Sequence, residues 1–143
     1  MKQALRMIRR QASLSWAERC LVAEAWLRLL WVAAILRTPW RRHLFTLNPL
    51  PAEPGLSPIQ AQRAAWLVSA AANHHIKPMT CLERALALQW VLARRGCRAT
   101  LRFGVQKDEK ANLAAHAWLE EVPGLSDPLI SRFIPLEPLR ERP

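Results

Sequence analysis

The stretch Thr80-Cys81-Leu82-Glu83-Arg84-Ala85-Leu86-Ala87-Leu88, followed by Arg94-Arg95-Gly96 and then Leu101-Arg102-Phe103-Gly104-Val105, changes its hydrophobic period once, and that change decides the fold. Before Gly96, Leu82, Ala85, Leu86, Leu88 and Leu92 recur at helical spacing. Thr80 and Glu83 form a capping box, in which the hydroxyl accepts from an early helical N–H and the carboxylate reaches back to the cap. Arg94 and Arg95 set cations at the negative end of this helix, with glycine just past it. Beyond Gly96 the period is two. Ala99, Leu101, Phe103 and Val105 alternate with Thr100, Arg102 and Gly104, the pattern of a strand. Residues 106–112 read as a charged loop. A second strand then alternates Leu113, Ala115, Ala117 and Leu119 with His116, Trp118 and Glu120. Pro123-Gly124 is a turn signal, and 130–136 reads as a short third strand.

Toward the N-terminus the capping signal occurs twice more. Ser57-Pro58-Ile59-Gln60 opens a helix ending near Asn73, with proline at the first position, where a missing N–H costs nothing. Ser15-Trp16-Ala17-Glu18 opens a helix running to Arg37, with Leu21, Ala25, Leu29, Val32 and Leu36 on one side. It stops at Thr38-Pro39, because proline disfavours the α conformation before it. Glu24 and Arg28 have the spacing of an ion pair along the helix. Trp26 and Trp31 widen the apolar circumference, so the helix reads as core, with a partner-facing or membrane-surface helix as the alternative. Residues 48–58 contain four prolines and a glycine, which makes an irregular connection. Helices followed by a small antiparallel sheet give the class α+β.

Length and charge narrow the function. A chain of 143 residues with 51% hydrophobic and 22% charged residues supports one globular domain. The net charge is +10, and residues 1–45 hold nine basic and two acidic side chains. Such a balance suits an anionic partner, yet the sequence carries no nucleic-acid motif, so none is expected as a ligand. Cys20, Cys81 and Cys97 close no disulfide set, and there is no secretory start, which places the chain in a reducing cytoplasm. Residues 21–36 include Glu24 and Arg28 and fall short of a membrane span. Cys20 and Cys97 read as buried small hydrophobes. His74, His75, Cys81 and Cys97 lack zinc spacing, and no metal or cofactor is expected.

Cys81 stands at the first residue of a capped helix, where unsatisfied N–H groups and the helix dipole favour a thiolate, the competent nucleophile. The same amides suit an oxyanion. The bland alternative is an inert cysteine at a helix start. His116, on a strand whose other face is apolar, supplies an acid–base partner. A third group must orient the imidazole. The chain has two aspartates; Asp108 falls in the charged loop, which leaves Asp127, with Glu120 and Glu121 as alternatives. A tight hairpin at Pro123-Gly124 pairs 122 with 125 and 131 with His116. That leaves Asp127 short of the imidazole unless the loop is longer or bulged. Trp118 shares the face of His116 and packs beside it or in the core. Arg84 anchors the fold or holds substrate, and His74 and His75 border the cleft or are plain loop residues.

The block Cys81-Leu82-Glu83-Arg84-Ala85-Leu86-Ala87-Leu88, with Arg94-Arg95-Gly96, Leu101-Arg102-Phe103-Gly104-Val105 and His116-Ala117-Trp118-Leu119-Glu120, resembles the leader peptidases of lasso peptide biosynthesis, a branch of the transglutaminase-like, papain-related fold. The 21–36 helix followed by Pro39-Trp40-Arg41-Arg42 resembles their N-terminal part. The resemblance implies a cysteine endopeptidase with Cys81 as nucleophile, His116 as base and acid, and Asp127 as orienting carboxylate. It implies a nucleophile-bearing helix packed on a small antiparallel sheet, in a single domain of residues 1–143. Within it, 1–47 would be helical, 48–58 the proline-rich connection and 59–143 the catalytic core. The substrate would be a ribosomally made precursor peptide. A separate leader-recognition protein would present it, since residues 1–80 show no winged-helix pattern, and an ATP-dependent cyclase would take the product. The basic N-terminal half, Arg41 and Arg42 included, would dock one of these. A transglutaminase-like acyltransferase, a basic nucleic-acid module and a partner-binding scaffold without catalysis are the competing readings.

Overall fold

A computed structural model describes residues 14–46, 55–107, 109–122 and 130–136. Helix α1 (Trp16–Ile35) is followed by a short α2 (Arg41–Thr46), α3 (Pro58–Asn73) and α4 (Cys81–Ala93). Strands β1 (Thr100–Lys107) and β2 (Leu113–Glu120), a 3-10 turn at Ile130–Arg132 and a short β3 (Ile134–Pro135) complete the order. This is the α+β arrangement expected of a transglutaminase-like core. No helix among the described residues is long and apolar enough to cross a membrane.

All three capping boxes form, with Ser15, Ser57 and Thr80 each accepting from the N3 amide while Glu18, Gln60 and Glu83 reach back. Each satisfies amides that the helix geometry would leave bare. Helix α4 closes on Gly96, whose φ of 75° is left-handed. The Cys97 amide bonds the Leu92 carbonyl and the Gly96 amide that of Ala93, a Schellman arrangement that glycine allows without strain. Helices α1, α3 and α4 pack on one another, and α4 lies on β2. One core joins Leu21, Ala25 and Leu29 of α1, Ala64, Leu67, Val68 and Ala71 of α3, Ala85 and Leu92 of α4, and Ala117 and Leu119 of β2.

Several expectations change. Helix α2 falls within the 1–47 segment expected to be helical, although no cap or apolar period marked it separately; its Leu44 is buried with Val32 and Leu86, so tertiary burial supports a helix too short to stand alone. Glu24 does not pair with Arg28. It meets Arg95 at 2.9 Å and Arg94 at 3.4 Å across the helix interface, while Arg28 lies over the rings of Trp31 and Trp90. Cys20 is exposed, not buried, although Cys97 is buried as expected. The tryptophans are not ordinary core either, since Trp16, Trp31, Trp40 and Trp66 are all exposed. Gln106 and Lys107 extend β1 rather than starting the loop.

The sheet differs most. Its order is β2-β1-β3, so the third strand pairs with β1, at Gly104↔Pro135 and Val105↔Ile134. Residue 131, expected opposite His116, lies in the 3-10 turn, and the described strand partner of His116 is Gly104. Proline at the sheet border loses no ladder bond, and the Leu136 amide bonds the Phe103 carbonyl. Gly104 makes room for the crossing chain. A Cβ there would lie 2.8 Å from the Trp118 ring and 2.9 Å from Phe133 Cβ.

Gly104→Ala is therefore expected to destabilise the fold by about 1–3 kcal/mol through overpacking, read as a lower urea midpoint at unchanged slope.

Candidate active site

The loop before α4 is fixed by one carboxylate. Glu83, 5% exposed, is the one charged residue among the described ones that is buried. Its oxygens accept from Lys77 Nζ at 2.8 and 2.9 Å and from the Thr80 amide at 2.8 Å. Thr80 Oγ1 in turn accepts from the Glu83 amide at 3.2 Å. Burial works to raise the Glu83 pKa, but the Lys77 and Thr80 contacts outweigh it and hold the carboxyl below its ordinary range. The sequence marked Glu83 as a helix cap; its partner Lys77 lies across a loop and went unmarked. The single available signal was a lysine preceding a box whose carboxylate was due to be buried.

Cys81 follows Thr80 as the first residue of α4, half-buried against the main core. Its own amide and that of Leu82 lie in the first turn, where helix geometry provides no intrahelical acceptor. Arg84, one turn on, is half-buried with Nε donating to the Met79 carbonyl at 3.2 Å, a contact that braces the same loop.

His116 lies on β2, the strand that α4 packs against. Its neighbour Ala117 and then Leu119 enter the main core with α4. Strand alternation turns His116, Trp118 and Glu120 to the other face. The imidazole packs beside Phe133, ring centroids 5.0 Å apart, and in line with Trp118 at 6.0 Å. Among the described residues β2 pairs only with β1, so His116 stands at a border of the sheet, not at its centre. Trp118 is 3% exposed and its indole N–H donates to Glu120 at 3.3 Å. It is thus placed as packing beside the imidazole. Glu120 also accepts from Arg102 at 2.9 Å, and Glu121 from Thr100 at 2.6 Å. His75 stacks on Trp26 at 4.4 Å, with Nε2 3.3 Å from the Trp26 carbonyl. It ties its loop to α1. Asp127, Asp108 and the Pro123-Gly124 turn lie outside the described residues. No cluster of three potential metal ligands occurs among the described residues.

Capped helices packed on a three-stranded antiparallel sheet, with a cysteine where the last helix starts and a histidine on the strand beneath it, define an α+β domain of the transglutaminase-like kind. The family model of the Transglutaminase-like superfamily matches residues 25–133, most of the chain, and the protein belongs to that superfamily. Its members are cysteine proteases and acyltransferases, generally working through cysteine, histidine and aspartate. Comparison with curated proteins and with solved structures gave no match.

Because the folded-state pKa of Glu83 is depressed, its contribution to stability is present above its unfolded value near 4.5 and is lost as pH falls through the folded value. Glu83→Gln should cost about 2 kcal/mol at pH 7, leaving Lys77 unpaired. Thermal unfolding should show the gap between wild type and variant closing below about pH 4.5.

Proposed function

We propose that this chain is a cysteine endopeptidase that removes the leader from a ribosomally made, lasso-type precursor peptide. The observation that carries the reading is the thiol at the first position of a rigidly capped helix, packed on the strand that bears the histidine, in a chain of the transglutaminase-like superfamily. The choice of peptide substrate rests on the resemblance of the Cys81–Leu88 block and the His116-Ala117-Trp118 string to the leader peptidases.

In this reading Cys81 Sγ attacks the scissile carbonyl carbon and its proton passes to the His116 imidazole. The tetrahedral oxyanion takes hydrogen bonds from the amides of Cys81 and Leu82. Collapse breaks the C–N bond, and the imidazolium returns the proton to the leaving amine. Water, deprotonated by His116, then hydrolyses the thioester to a free carboxylate. The reading requires Sγ, on the core side of β2, and the imidazole, on its other face, to meet past the border of that strand. Asp127 is assigned the orienting carboxylate from the resemblance. The freed amine would go to an ATP-dependent cyclase, with a leader-recognition protein presenting the substrate, all in a reducing cytoplasm.

A transglutaminase-like acyltransferase is the second reading, favoured by the superfamily itself. The two share the acyl-enzyme and differ in the acceptor, water or an amine.

With the precursor and its recognition protein, mass spectrometry should show a cleaved leader ending in a free carboxylate. Cys81→Ala and His116→Ala should each lower the rate at least 10³-fold while the variants stay folded. A leader recovered as an amide of an added amine would favour the acyltransferase, and full activity in Cys81→Ala would end the thiol mechanism. In peptide-mapped alkylation at pH 7, His116→Ala should slow modification of Cys81 about tenfold or more; an unchanged rate would separate the two groups.

A further inference from the structure

The solvent side of α1 is apolar, and its spacing is that of a helix-pairing seam. Trp16, Cys20, Ala23, Leu27, Leu30 and Ala34 are all exposed. They recur at intervals of four, three, four, three and four, a 3.5-residue repeat. Trp16 is 78% and Leu27 62% exposed. The opposite side, Leu21, Ala25, Leu29 and Val32, is buried in the protein's own core, so among the described residues this second stripe is not part of the packing that holds the domain together. A single scattered leucine at a surface would need no explanation; a continuous row along a helix roughly 30 Å long does.

The borders of the row carry a charge that selects the occupant. Helical periodicity puts Arg19, exposed, along one border, and Arg37, exposed just past the end of the helix, donates to the Ala33 carbonyl. Along the other, Glu24 is shared by Arg94 and Arg95, two cations on one carboxylate, and Arg28 lies close by over Trp31. The remaining carboxylate of α1, Glu18, is bound at 2.7 Å by Arg63, which holds its pKa below the ordinary range. Both acids of the helix are thus answered by arginines, and the rim remains positive. A second copy would bring arginine against arginine. Small residues at Cys20, Ala23 and Ala34, set between Trp16, Leu27 and Leu30, leave recesses that interdigitating side chains fill and a disordered acyl phase does not.

We propose that this face of α1 docks an amphipathic α-helix of another protein, with leucine-type residues in its seam and acidic residues along both borders. The binding would pair the helices as in a coiled coil, independently of the chemistry at Cys81.

The test uses the full chain and two synthetic helices of about 21 residues (three heptads) with leucine at the seam positions. One carries glutamate at the flanking positions and the other lysine. The acidic helix is expected to bind and to protect Cys20 from maleimide at least tenfold, with little protection by the lysine helix. Leu27→Asp, at an exposed position, should keep the unfolding temperature within a degree or two and weaken binding tenfold or more. Failure of the acidic helix to protect Cys20, or equal protection by both helices, would overturn the proposal. So would dimerisation of the chain at micromolar concentration blocked by Leu27→Asp, which would make a second copy the occupant. Protection of Cys20 by phosphatidylglycerol vesicles but not by the acidic helix would assign the face to a membrane instead.

Discussion

The carboxylate of Glu83 is the constraint on which the candidate site depends. Taken out of water at the first turn of α4, it must be answered in place, and Lys77 and the Thr80 amide answer it. Those contacts fix the chain on both sides of Thr80, so the residue between cap and carboxylate, Cys81, has little choice of position. Arg84 holds the Met79 carbonyl from the following turn. In the proposed mechanism this would preorganise the sulfur, because a reacting atom displaced by an ångström loses much of the benefit of being held at all.

The sheet answers a different demand, that of placing an imidazole on a strand whose neighbours are already committed to packing. Ala117 and Leu119 belong to the helical core, so His116 and Trp118 take the other face. Covering that face falls to Phe133, which reaches over Gly104 because glycine has no side chain to prevent it. The buried Trp118 ring and the small Gly104 are two halves of one fit. The imidazole is left flanked by aromatic rings, at a sheet border and half-shielded from water.

Charge is arranged with similar economy along α1. Its two carboxylates each pin a neighbouring helix through arginine, Glu18 to α3 and Glu24 to the end of α4. The exposed Glu18–Arg63 pair contributes little to stability, whereas Glu24 and Arg95 meet partly buried at the helix interface.

The sequence by itself determined the elements whose signals are local. The capping boxes at Ser15, Ser57 and Thr80, the stop at Gly96, the inward stripe of α1 and the two strands around Phe103 and His116 are decided by neighbours a few residues apart and appear as elements where the pattern put them. So does the position of Cys81 at a helix start, because an N-cap is a short-range hydrogen bond. The alternation did not set burial in the strands, since Phe103 and Leu113 are exposed while Gly104 and Trp118 are buried. Tertiary structure decided what depends on partners distant in the chain. It paired β3 with β1 and not with β2, and the space left by the missing side chain of Gly104 is taken up by Trp118 and Phe133. It also drew Glu24 away from Arg28 to Arg95 and made a helix of 41–46 by burying Leu44. The outward apolar row of α1 was equally a tertiary result: a helix with tryptophan and leucine on most of its circumference shows its inside only when α3 and α4 have chosen one face and left the other to water.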